Sequence, residues 1–410
     1  MPIWKPFTQE KVAPCAVKIA RGHGAYLEDE AGTQYLDLIS SWWVNILGHA
    51  NEEIADAIAS QARRLEQVIF AGFSHEPAEV LCASLEKILP KSLRRFFFSD
   101  DGSTSVEVAL KLAYQYFFNQ GIKDRCTYIN LEGAYHGDTL GAMSAAGNRS
   151  SYHSTFKSFF FRTYSIKFPD TPDEEKNALS ALQDFLENEG LNICALIVEP
   201  LIQGAAGMRM YRAEFLEKIV NEVRKYGILV IFDEVMTGFG RTGTMFAMDQ
   251  TQVLPDFICL SKGLTGGFLP LGLTVSTDAI YEAFYSDDSS KAFIHGHSYT
   301  ANPISCAAAV KSLEILRRES TQLDIKRIAK VHSRNLESLP RAQNKRALGT
   351  IAAFEVESAA FAQEITSRLL SQGLIIRPLG NTIYFIPPYC IDSGDLERAY
   401  SQVAARLNFA

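Results

Sequence analysis

Short apolar runs alternate along the chain with longer stretches in which apolar residues recur every three or four positions. Runs with the length of buried strands lie at residues 94–98, 126–131, 193–198, 228–232, 257–260 and 272–276. The run at residues 228–232 is apolar on both faces, which is typical of a strand inside a parallel sheet. Helical spacing lies between such runs, for instance at residues 105–119 and at residues 215–226, where Gly227 supplies a C-terminal cap. This alternation predicts an α/β fold whose large domain is built on a mainly parallel sheet.

The C-terminal part of the chain has a different order of elements. Helices are predicted at about residues 303–317, 359–370 and 395–407, and strands at residues 351–356, 374–378 and 382–385. This order predicts a smaller α+β domain, joined to the large one through the helix that begins near Pro303.

Composition narrows the class of protein. With 47% hydrophobic and 21% charged residues, the chain of 410 residues has the balance of a globular protein. Its 40 basic and 47 acidic residues give a net charge of −7, which argues against a nucleic-acid-binding protein. No apolar run approaches the roughly 20 residues of a membrane helix, and the first residues lack a secretory signal. The seven cysteines are scattered without a CxxC pair, so we expect reduced thiols, a cytoplasmic enzyme and no metal site.

Polar residues that directly follow the apolar runs are candidates for chemistry, because ligands of open α/β sheets bind beyond the carboxyl ends of the strands. The clusters found in this way are SDDGS at residues 99–103, DE at residues 233–234 and SKG at residues 261–263. They are the first candidates for an active site.

Lys262 and Asp233 are the most informative members of these clusters. A lysine at the end of a buried strand would have a lowered pKa, which suits Schiff-base chemistry; the alternative is a lysine whose amine extends to water. A carboxylate at Asp233 needs a partner, because an unpaired buried charge is costly. The protonated pyridine nitrogen of pyridoxal phosphate would be such a partner, and a helix cap or an ion pair is the alternative.

Gly102 and Ser103 lie at the predicted start of a helix. Free backbone N–H groups and the helix dipole can bind a phosphate there, although an ordinary helix cap would have the same sequence. Thr104 and Glu107 have the spacing of a capping box at this helix start.

Two other segments could contribute to a cofactor site. Tyr135 could cover one face of a planar ring, or it could lie in the core of a turn. His297 and Ser298 form either a further phosphate-binding turn or an ordinary loop.

Together these motifs resemble the class III aminotransferases, which are pyridoxal-phosphate enzymes of fold type I. The runs DEVMTGFGRTG at residues 233–243 and SKG at residues 261–263 are highly specific to that class, and the resemblance extends over nearly the whole chain. Finer motifs resemble the branch of the family that acts in biotin synthesis: SSWW at residues 40–43, YHGDT at 135–139, GAAGMRMY at 204–211, IRPLG at 376–380 and IYFIPP at 383–388. That branch transfers an amino group to 8-amino-7-oxononanoate and forms 7,8-diaminononanoate.

The resemblance also implies an assembly and a division into domains. The family forms homodimers with active sites at the subunit interface. Its small domain contains both chain ends, here residues 1–40 and 306–410, and its large cofactor-binding domain corresponds to residues 41–305.

Catalytic roles are implied for Lys262, Asp233 and Tyr135. Lys262 matches the lysine that bonds covalently to the cofactor, and Asp233 matches the aspartate on the pyridine nitrogen. Gly102 and Ser103 match a pair that binds the cofactor phosphate.

His297 and Ser298 match a Pro-Thr pair that reaches the phosphate from the neighbouring subunit, and Ser298 keeps the hydroxyl group. Arg377 matches the arginine that binds the carboxylate of the keto acid. The other positions implied for the substrate pocket are Trp42, Trp43, Tyr135 and Gly296.

The chain departs from the pattern of the family at two positions. Phe7 follows the N-terminal Trp-x-Pro where the adenosylmethionine-using enzymes have tyrosine, and Asp101 stands where a serine is usual. Relatives with Trp-x-Pro-Phe and a run like HGHSY at residues 295–299 resemble lysine-using enzymes. The amino donor is therefore adenosylmethionine or lysine, and Phe7 favours lysine or another simple amino acid. Near Gly204, the ornithine- and GABA-type relatives have a glutamate, so its absence argues against those activities.

We therefore expect a pyridoxal-phosphate aminotransferase of biotin synthesis. One alternative is an ω-amino-acid:pyruvate-type aminotransferase of the same class. Another is a dimeric binding protein on the same fold without catalysis, which the joint presence of Lys262 and Asp233 argues against.

Overall fold

The structure, a computed structural model, describes residues 3–147 and 154–408. The strands are β1 Ile19–His23, β2 Tyr26–Asp29, β3 Gln34–Asp37, β4 Leu93–Ser99, β5 Thr127–Leu131, β6 Thr163–Ile166, β7 Ile193–Val198, β8 Ile202–Gln203, β9 Arg209–Met210, β10 Leu229–Asp233, β11 Phe257–Leu260, β12 Gly272–Thr277, β13 Gln343–Leu348, β14 Ile351–Glu355, β15 Leu374–Ile375 and β16 Thr382–Phe385. The helices are α1 Ser40–Trp43, α2 Glu52–Ala62, α3 Glu76–Leu85, α4 Gly102–Asn119, α5 Leu140–Ala145, α6 Pro172–Glu189, α7 Ala213–Arg224, α8 Asp278–Glu282, α9 Pro303–Leu316, α10 Glu319–Glu337, α11 Ala359–Leu370 and α12 Ser393–Asn408.

A seven-stranded sheet forms the centre of the molecule, with the strand order β4-β12-β11-β10-β7-β5-β6. Strands β11, β10, β7, β5 and β6 pair in parallel, and β12 is antiparallel to both of its neighbours. The prediction of an α/β fold with a mainly parallel sheet is thus confirmed. Strand β12, which was predicted as a strand, is the member that runs in the opposite direction.

Both faces of the central strands are covered by apolar side chains. Every residue of β7 and β10 is buried. Along β10, Val230 and Phe232 belong to one hydrophobic cluster and Ile231 to another, because successive side chains of a strand point to opposite faces. The continuous apolar run that predicted this strand follows from burial on both faces.

Two smaller sheets contain residues from the ends of the chain. One has the order β1-β2-β3-β15, in which Leu374 and Ile375 of β15 pair in parallel with β3; the other has the order β13-β14-β16. The N-terminal strands are therefore joined to the C-terminal part, which supports a small domain built from both chain ends. The boundary predicted between residues 305 and 306 falls inside α9, a helix that packs on α2 and α3. The division into domains stays a prediction.

The start of α4 corrects one detail of the sequence analysis. The capping box predicted for Thr104 and Glu107 is wrong, because Asp101 is the N-cap residue. Its carboxylate accepts the Thr104 N–H at 2.8 Å, and the Thr104 hydroxyl accepts the Asp101 N–H at 2.9 Å. Glu107 instead accepts the N–H groups of Gly141 and Ala142 at the start of α5, at 2.7 and 3.2 Å.

Among the helices in residues 3–147 and 154–408, none has both the length and the apolar character needed to cross a membrane.

Candidate active site

A cavity of about 380 Å³ opens at the carboxyl ends of β7, β10 and β11. Glu199 follows β7, Asp233 ends β10, and Lys262 follows β11, so three neighbouring strands each deliver an ionisable side chain to it. Other residues of its lining include Trp43, Gly102, Ser103, Tyr135, His136, Val235 and Met236. The site residues expected at the ends of the apolar runs, Gly102, Ser103, Asp233 and Lys262, thus line one cavity.

Lys262 begins a short 3-10 turn, Lys262–Thr265, directly after Ser261. Its φ of 45° lies in the left-handed region, which is uncommon for a residue other than glycine. Burial lowers the pKa of the Lys262 amine, and the charges of Asp233 and Glu199 oppose that shift. The Nζ atom lies 5.1 Å from the ring centroid of Trp43. The amine is therefore held in an enclosed, partly aromatic environment in which burial lowers its pKa.

Asp233 is only 4% exposed, and each of its oxygens has a partner. Oδ2 lies 2.7 Å from Nδ1 of His136, and Oδ1 accepts the Val235 N–H at 3.1 Å. The Nε2 atom of the buried His136 has no hydrogen-bond partner within the part of the chain that the structure describes. The two contacts fix the orientation of the carboxylate in the cavity wall.

The N-terminus of α4 lies in the same cavity. Gly102 begins the helix, and a Cβ atom at this position would lie 2.6 Å from Cγ1 of Val235, so only glycine fits without a shift. The Ser103 hydroxyl accepts the N–H of Asp138 at 3.1 Å. Free amides at a helix start and a nearby hydroxyl suit an anion.

Tyr135 and Glu199 are linked through the backbone. Glu199 accepts the Tyr135 N–H at 3.1 Å and the Gly204 N–H at 3.0 Å. Burial raises the pKa of Glu199 to about 7, and burial also raises the pKa of the Tyr135 hydroxyl. The sequence analysis did not select Glu199 as a site residue, although it follows a buried strand as Asp233 does, and the same rule would have found it.

Phe7, Trp42 and Arg377 form a cluster of their own, and none of the three lines the cavity that contains Lys262. The rings of Phe7 and Trp42 make an edge contact at 5.5 Å, and the Arg377 guanidinium lies 4.3 Å from the Trp42 ring centroid. Phe7 is 53% exposed and Trp42 is 39% exposed, so this cluster faces outward. Within residues 3–147 and 154–408, Arg377 forms no ion pair with a carboxylate. Its charge is therefore available to a ligand.

Gly296, His297 and Ser298 do not line the cavity that contains Lys262. They line a separate depression with Ile69 and Phe97. The Nδ1 atom of His297 lies 3.4 Å from a carboxylate oxygen of Asp100, which precedes the start of α4. Within a single chain these three residues and the cavity stay apart.

Gly204 lies against the aromatic wall of the cavity. A Cβ atom at this position would lie 3.0 Å from the ring of Trp43 and 3.0 Å from the terminal methyl of Met236. A larger residue here would have to displace one of these side chains.

No three His, Cys, Asp or Glu side chains are grouped as a metal site in the described ranges 3–147 and 154–408.

Comparison with known proteins identifies the relatives of the chain. The sequence profile described as aminotransferase class-III matches residues 7–407. A protein of Synechococcus elongatus named adenosylmethionine-8-amino-7-oxononanoate aminotransferase is 46% identical, over 99% of this chain and 98% of its own length. A protein of Helicobacter pylori with the same name is 36% identical, over 99% of this chain and 96% of its own.

Solved structures of similar proteins have the same fold. The crystal structure of the adenosylmethionine-8-amino-7-oxononanoate aminotransferase of Methanocaldococcus jannaschii matches with a TM-score of 0.94 and 34% identity, covering 100% of this chain and 97% of that one. An amine transaminase from an uncultivated Pseudomonas species, solved in its PLP-bound form, matches with a TM-score of 0.93 and 29% identity, covering 100% and 99%.

Proposed function

Because the chain belongs to the class-III aminotransferase family, we propose that it transfers an amino group to the C7 carbonyl of 8-amino-7-oxononanoate, forming 7,8-diaminononanoate in biotin synthesis. The structural observation that carries this proposal is the meeting of Lys262 and Asp233 in one buried cavity whose wall includes Trp43. A buried amine and a buried carboxylate are the two groups that pyridoxal-phosphate transamination requires of the protein.

The cofactor of the enzyme is pyridoxal 5′-phosphate, and the cavity fits its parts. Gly102 and Ser103, the first residues of α4, line the cavity, and backbone N–H groups at a helix start can bind a phosphate. Asp233 and Lys262 line the same cavity, where the carboxylate would hold the pyridine nitrogen and the amine would bond to the aldehyde carbon. When bound, pyridoxal phosphate supplies a carbonyl carbon that carries the amino group and a ring that accepts electrons from the substrate carbon.

The chain's own residues move and hold protons in this reaction. We assign to the Lys262 amine the transfer of a proton from the substrate carbon, since burial favours its neutral form. Asp233, oriented by His136, would provide the negative charge that keeps a pyridine nitrogen protonated. Tyr135, which lines the cavity, would cover one face of the ring.

The acceptor substrate is an aliphatic chain that ends in a carboxylate. We assign the recognition of this carboxylate to Arg377, because the guanidinium is held on the Trp42 ring and can form a bidentate pair. Trp42, Trp43 and Tyr135 would enclose the apolar part of the substrate.

Adenosylmethionine or lysine is proposed as the amino donor. The similarity to enzymes named for adenosylmethionine supports the former. Phe7 supports lysine or another simple amino acid, because it offers no hydroxyl group beside Trp42.

We propose that the enzyme is a homodimer with shared active sites. Ile69, which is 64% exposed, lines the depression that contains Gly296, His297 and Ser298, and Ile294, which is 83% exposed, lies just before this segment of the chain. A second copy covering this surface would bury both side chains and bring His297 and Ser298 towards the partner's phosphate site. The proposed compartment is the cytoplasm, because a reducing environment maintains free thiols such as those of this chain.

An acceptor assay tests the function. Purified enzyme is mixed with 8-amino-7-oxononanoate and either donor, and the diamine product is measured by mass spectrometry. Formation of 7,8-diaminononanoate is expected, whereas activity with pyruvate and an ω-amino acid alone would identify the alternative aminotransferase. A protein whose cofactor absorbance is not bleached by borohydride would be the binding protein instead.

A further inference from the structure

The segment Ser40–Trp43, given above as α1, has non-helical backbone angles at Ser41 and Trp42, and we call it the tryptophan turn. Ser40, Ser41 and Trp43 have φ angles of 50°, 61° and 67°, a region that residues other than glycine rarely adopt. At Ser41 a ψ of −66° completes the angles of the rarer, strained form of the γ-turn. Such conformations persist only where their surroundings fix them, and they cluster at functional sites.

Asp37, the last residue of β3, binds the strained part of this turn. Its carboxylate is fully buried, and Oδ1 accepts the Ile39 N–H at 3.1 Å. Oδ2 accepts the Ser41 N–H at 2.6 Å and the Ser41 hydroxyl at 3.2 Å. The carboxylate therefore holds both the entry to the turn and its most strained residue.

His49 completes this arrangement from the other end of the turn. Its Nε2 atom lies 2.9 Å from Oδ2 of Asp37, and its Nδ1 atom lies 2.8 Å from the side-chain amide nitrogen of Asn45. Because the amide nitrogen of Asn45 can only donate, His49 accepts through Nδ1 and donates to Asp37 through Nε2. The chain after the turn is thereby tied to the same carboxylate.

Other contacts support the turn without reaching its strained amide. The Ser40 hydroxyl donates to the Ile386 carbonyl at 2.7 Å, and the Trp43 indole donates to the Tyr384 hydroxyl at 3.1 Å. The N–H group of Ser41, the strained residue, donates to Asp37 instead.

The turn determines where two aromatic side chains lie. Trp43 lines the cavity beside Lys262, and Trp42 carries the Arg377 guanidinium on its ring. We propose that Asp37, together with His49, is a positioning residue for acceptor binding, acting through the tryptophan turn on Trp42, Trp43 and Arg377. This inference rests on the proposed function, because the acceptor it concerns is the keto acid of that reaction.

The Asp37→Asn substitution tests the proposal. Asp37 accepts from Ile39 through Oδ1 and from Ser41 and His49 through Oδ2. The amide has one acceptor oxygen and one donor nitrogen, so it loses either the bond from Ile39 or the bonds from Ser41 and His49. We expect the KM for 8-amino-7-oxononanoate to rise about tenfold, the change that roughly 1.4 kcal/mol of lost binding produces. The donor half-reaction should change much less, and the dissociation constant of the cofactor should not change.

Asp256→Asn is the matched control. Asp256 accepts the Val230 N–H at 2.8 Å, away from the cavity, so its substitution should leave the acceptor KM unchanged. If Asp37→Asn does not fold, His49→Phe keeps a ring but removes the hydrogen bond to Asp37, and it should raise the same KM.

A double variant separates positioning from general stability. Glycine adopts the backbone angles of Ser41 without steric cost, so Asp37→Asn/Ser41→Gly should bind the acceptor better than Asp37→Asn. If Asp37 only stabilised the fold, the added glycine would not restore acceptor binding.

A spectroscopic readout does not depend on activity. In a Trp4→Phe background, the near-ultraviolet circular dichroism of the full-length, cofactor-free chain reports on Trp42 and Trp43, the remaining tryptophans. Asp37→Asn should change this signal and Asp256→Asn should not. An unchanged signal, or equal effects on donor and acceptor, would overturn the positioning role.

Failure of the unmodified enzyme to aminate 8-amino-7-oxononanoate would instead refute the proposed function. The acceptor measurements would then use the keto substrate that the enzyme does accept.

Discussion

The Nδ1 atom of His136 lies 2.7 Å from Oδ2 of Asp233, the last residue of the inner strand β10, and both side chains are buried. With Oδ2 held by the imidazole and Oδ1 by the Val235 N–H, the carboxylate cannot rotate without losing a hydrogen bond. Its negative charge thus has a fixed direction in the cavity, and a change that removes only the charge should reveal what the charge does.

We expect Asp233→Asn to leave the fold intact and to slow proton removal from the donor about 100-fold or more, since each ~1.4 kcal/mol of lost transition-state stabilisation is tenfold in rate. The amide has nearly the shape of the carboxylate but cannot keep a pyridine nitrogen protonated. Single-turnover rates with a deuterated donor measure this step, and an unchanged rate would contradict the role given to Asp233.

Lys262→Ala should abolish turnover while the protein still binds the cofactor through the phosphate site at Gly102 and Ser103 and through Asp233. Equilibrium dialysis of the cofactor and steady-state assays of the diamine product measure the two properties separately. Lys225→Ala, which changes an exposed lysine paired with Glu222, is the control and should retain activity. Turnover of Lys262→Ala near that of the unmodified enzyme would remove this lysine from the mechanism.

For Arg377→Ala we expect weaker binding of the keto acid and little effect on the donor. Losing a charge-assisted bidentate pair should cost roughly 2 to 5 kcal/mol of acceptor binding. The acceptor's dissociation constant is compared with that of an analogue without the carboxyl group. Arg398→Ala is the control, because Arg398 pairs with Asp395. An equal loss for the analogue would show that Arg377 does not recognise the carboxylate.

The identity of the donor can be tested at Phe7. Phe7→Tyr adds a hydroxyl group beside Trp42 and should speed conversion of the cofactor by adenosylmethionine, by an amount equivalent to about 1 kcal/mol for one hydrogen bond. Stopped-flow mixing of the enzyme with adenosylmethionine or with lysine measures both half-reactions. Rapid reaction of the unmodified enzyme with adenosylmethionine alone, equal to that of Phe7→Tyr, would exclude the lysine hypothesis.

Glu234 should make stability depend on pH. Burial raises its pKa to about 7, although its carboxylate accepts N–H groups of Ala247 and Met248. Between its ordinary pKa of 4.5 and about 7, the folded chain keeps a proton that the unfolded chain has lost, so the free energy of unfolding falls as the pH rises.

In Glu234→Gln this contribution is absent, and the free energy of unfolding should fall less between pH 5 and pH 7, by on the order of 1 to 3 kcal/mol. Urea unfolding at fixed protein and cofactor concentrations measures it. Glu187→Gln, at an exposed position, should follow the unmodified enzyme. Parallel pH dependences for all three proteins would refute the prediction.

Sequence patterns predicted the inner strands of the central sheet, such as β7 and β10, because these are buried on both faces. Such strands produce continuous apolar runs, and their ends are marked by the first charged residue, as at Asp233. The edge strand β6, most of whose residues are only half-buried, was not predicted. The direction of β12 could not be read from its residues, since the apolar pattern of a buried strand is the same in either direction.

Long-range partners were harder to predict. Thr104 pairs with Asp101 and not with Glu107. Glu107 instead accepts an N–H group at the start of α5, which lies more than 30 residues later in the chain. Asp37 was missed because it stabilises a strained backbone. The residue types in SSWW at residues 40–43 do not indicate such backbone angles. Motif resemblance brought His297 and Ser298 into the predicted site, yet a single chain leaves them outside the cavity that contains Lys262.

The indole of Trp43 donates to Tyr384, a residue 341 positions later in the chain. During synthesis at about 5–20 residues per second, the tryptophan turn would wait roughly 20–70 s for that partner to leave the ribosome. A nascent or prematurely ended chain could therefore assemble the strands that carry Asp233 and Lys262 while the aromatic wall beside them still lacked its support. Substrate recognition would be the last property that the growing polypeptide acquires.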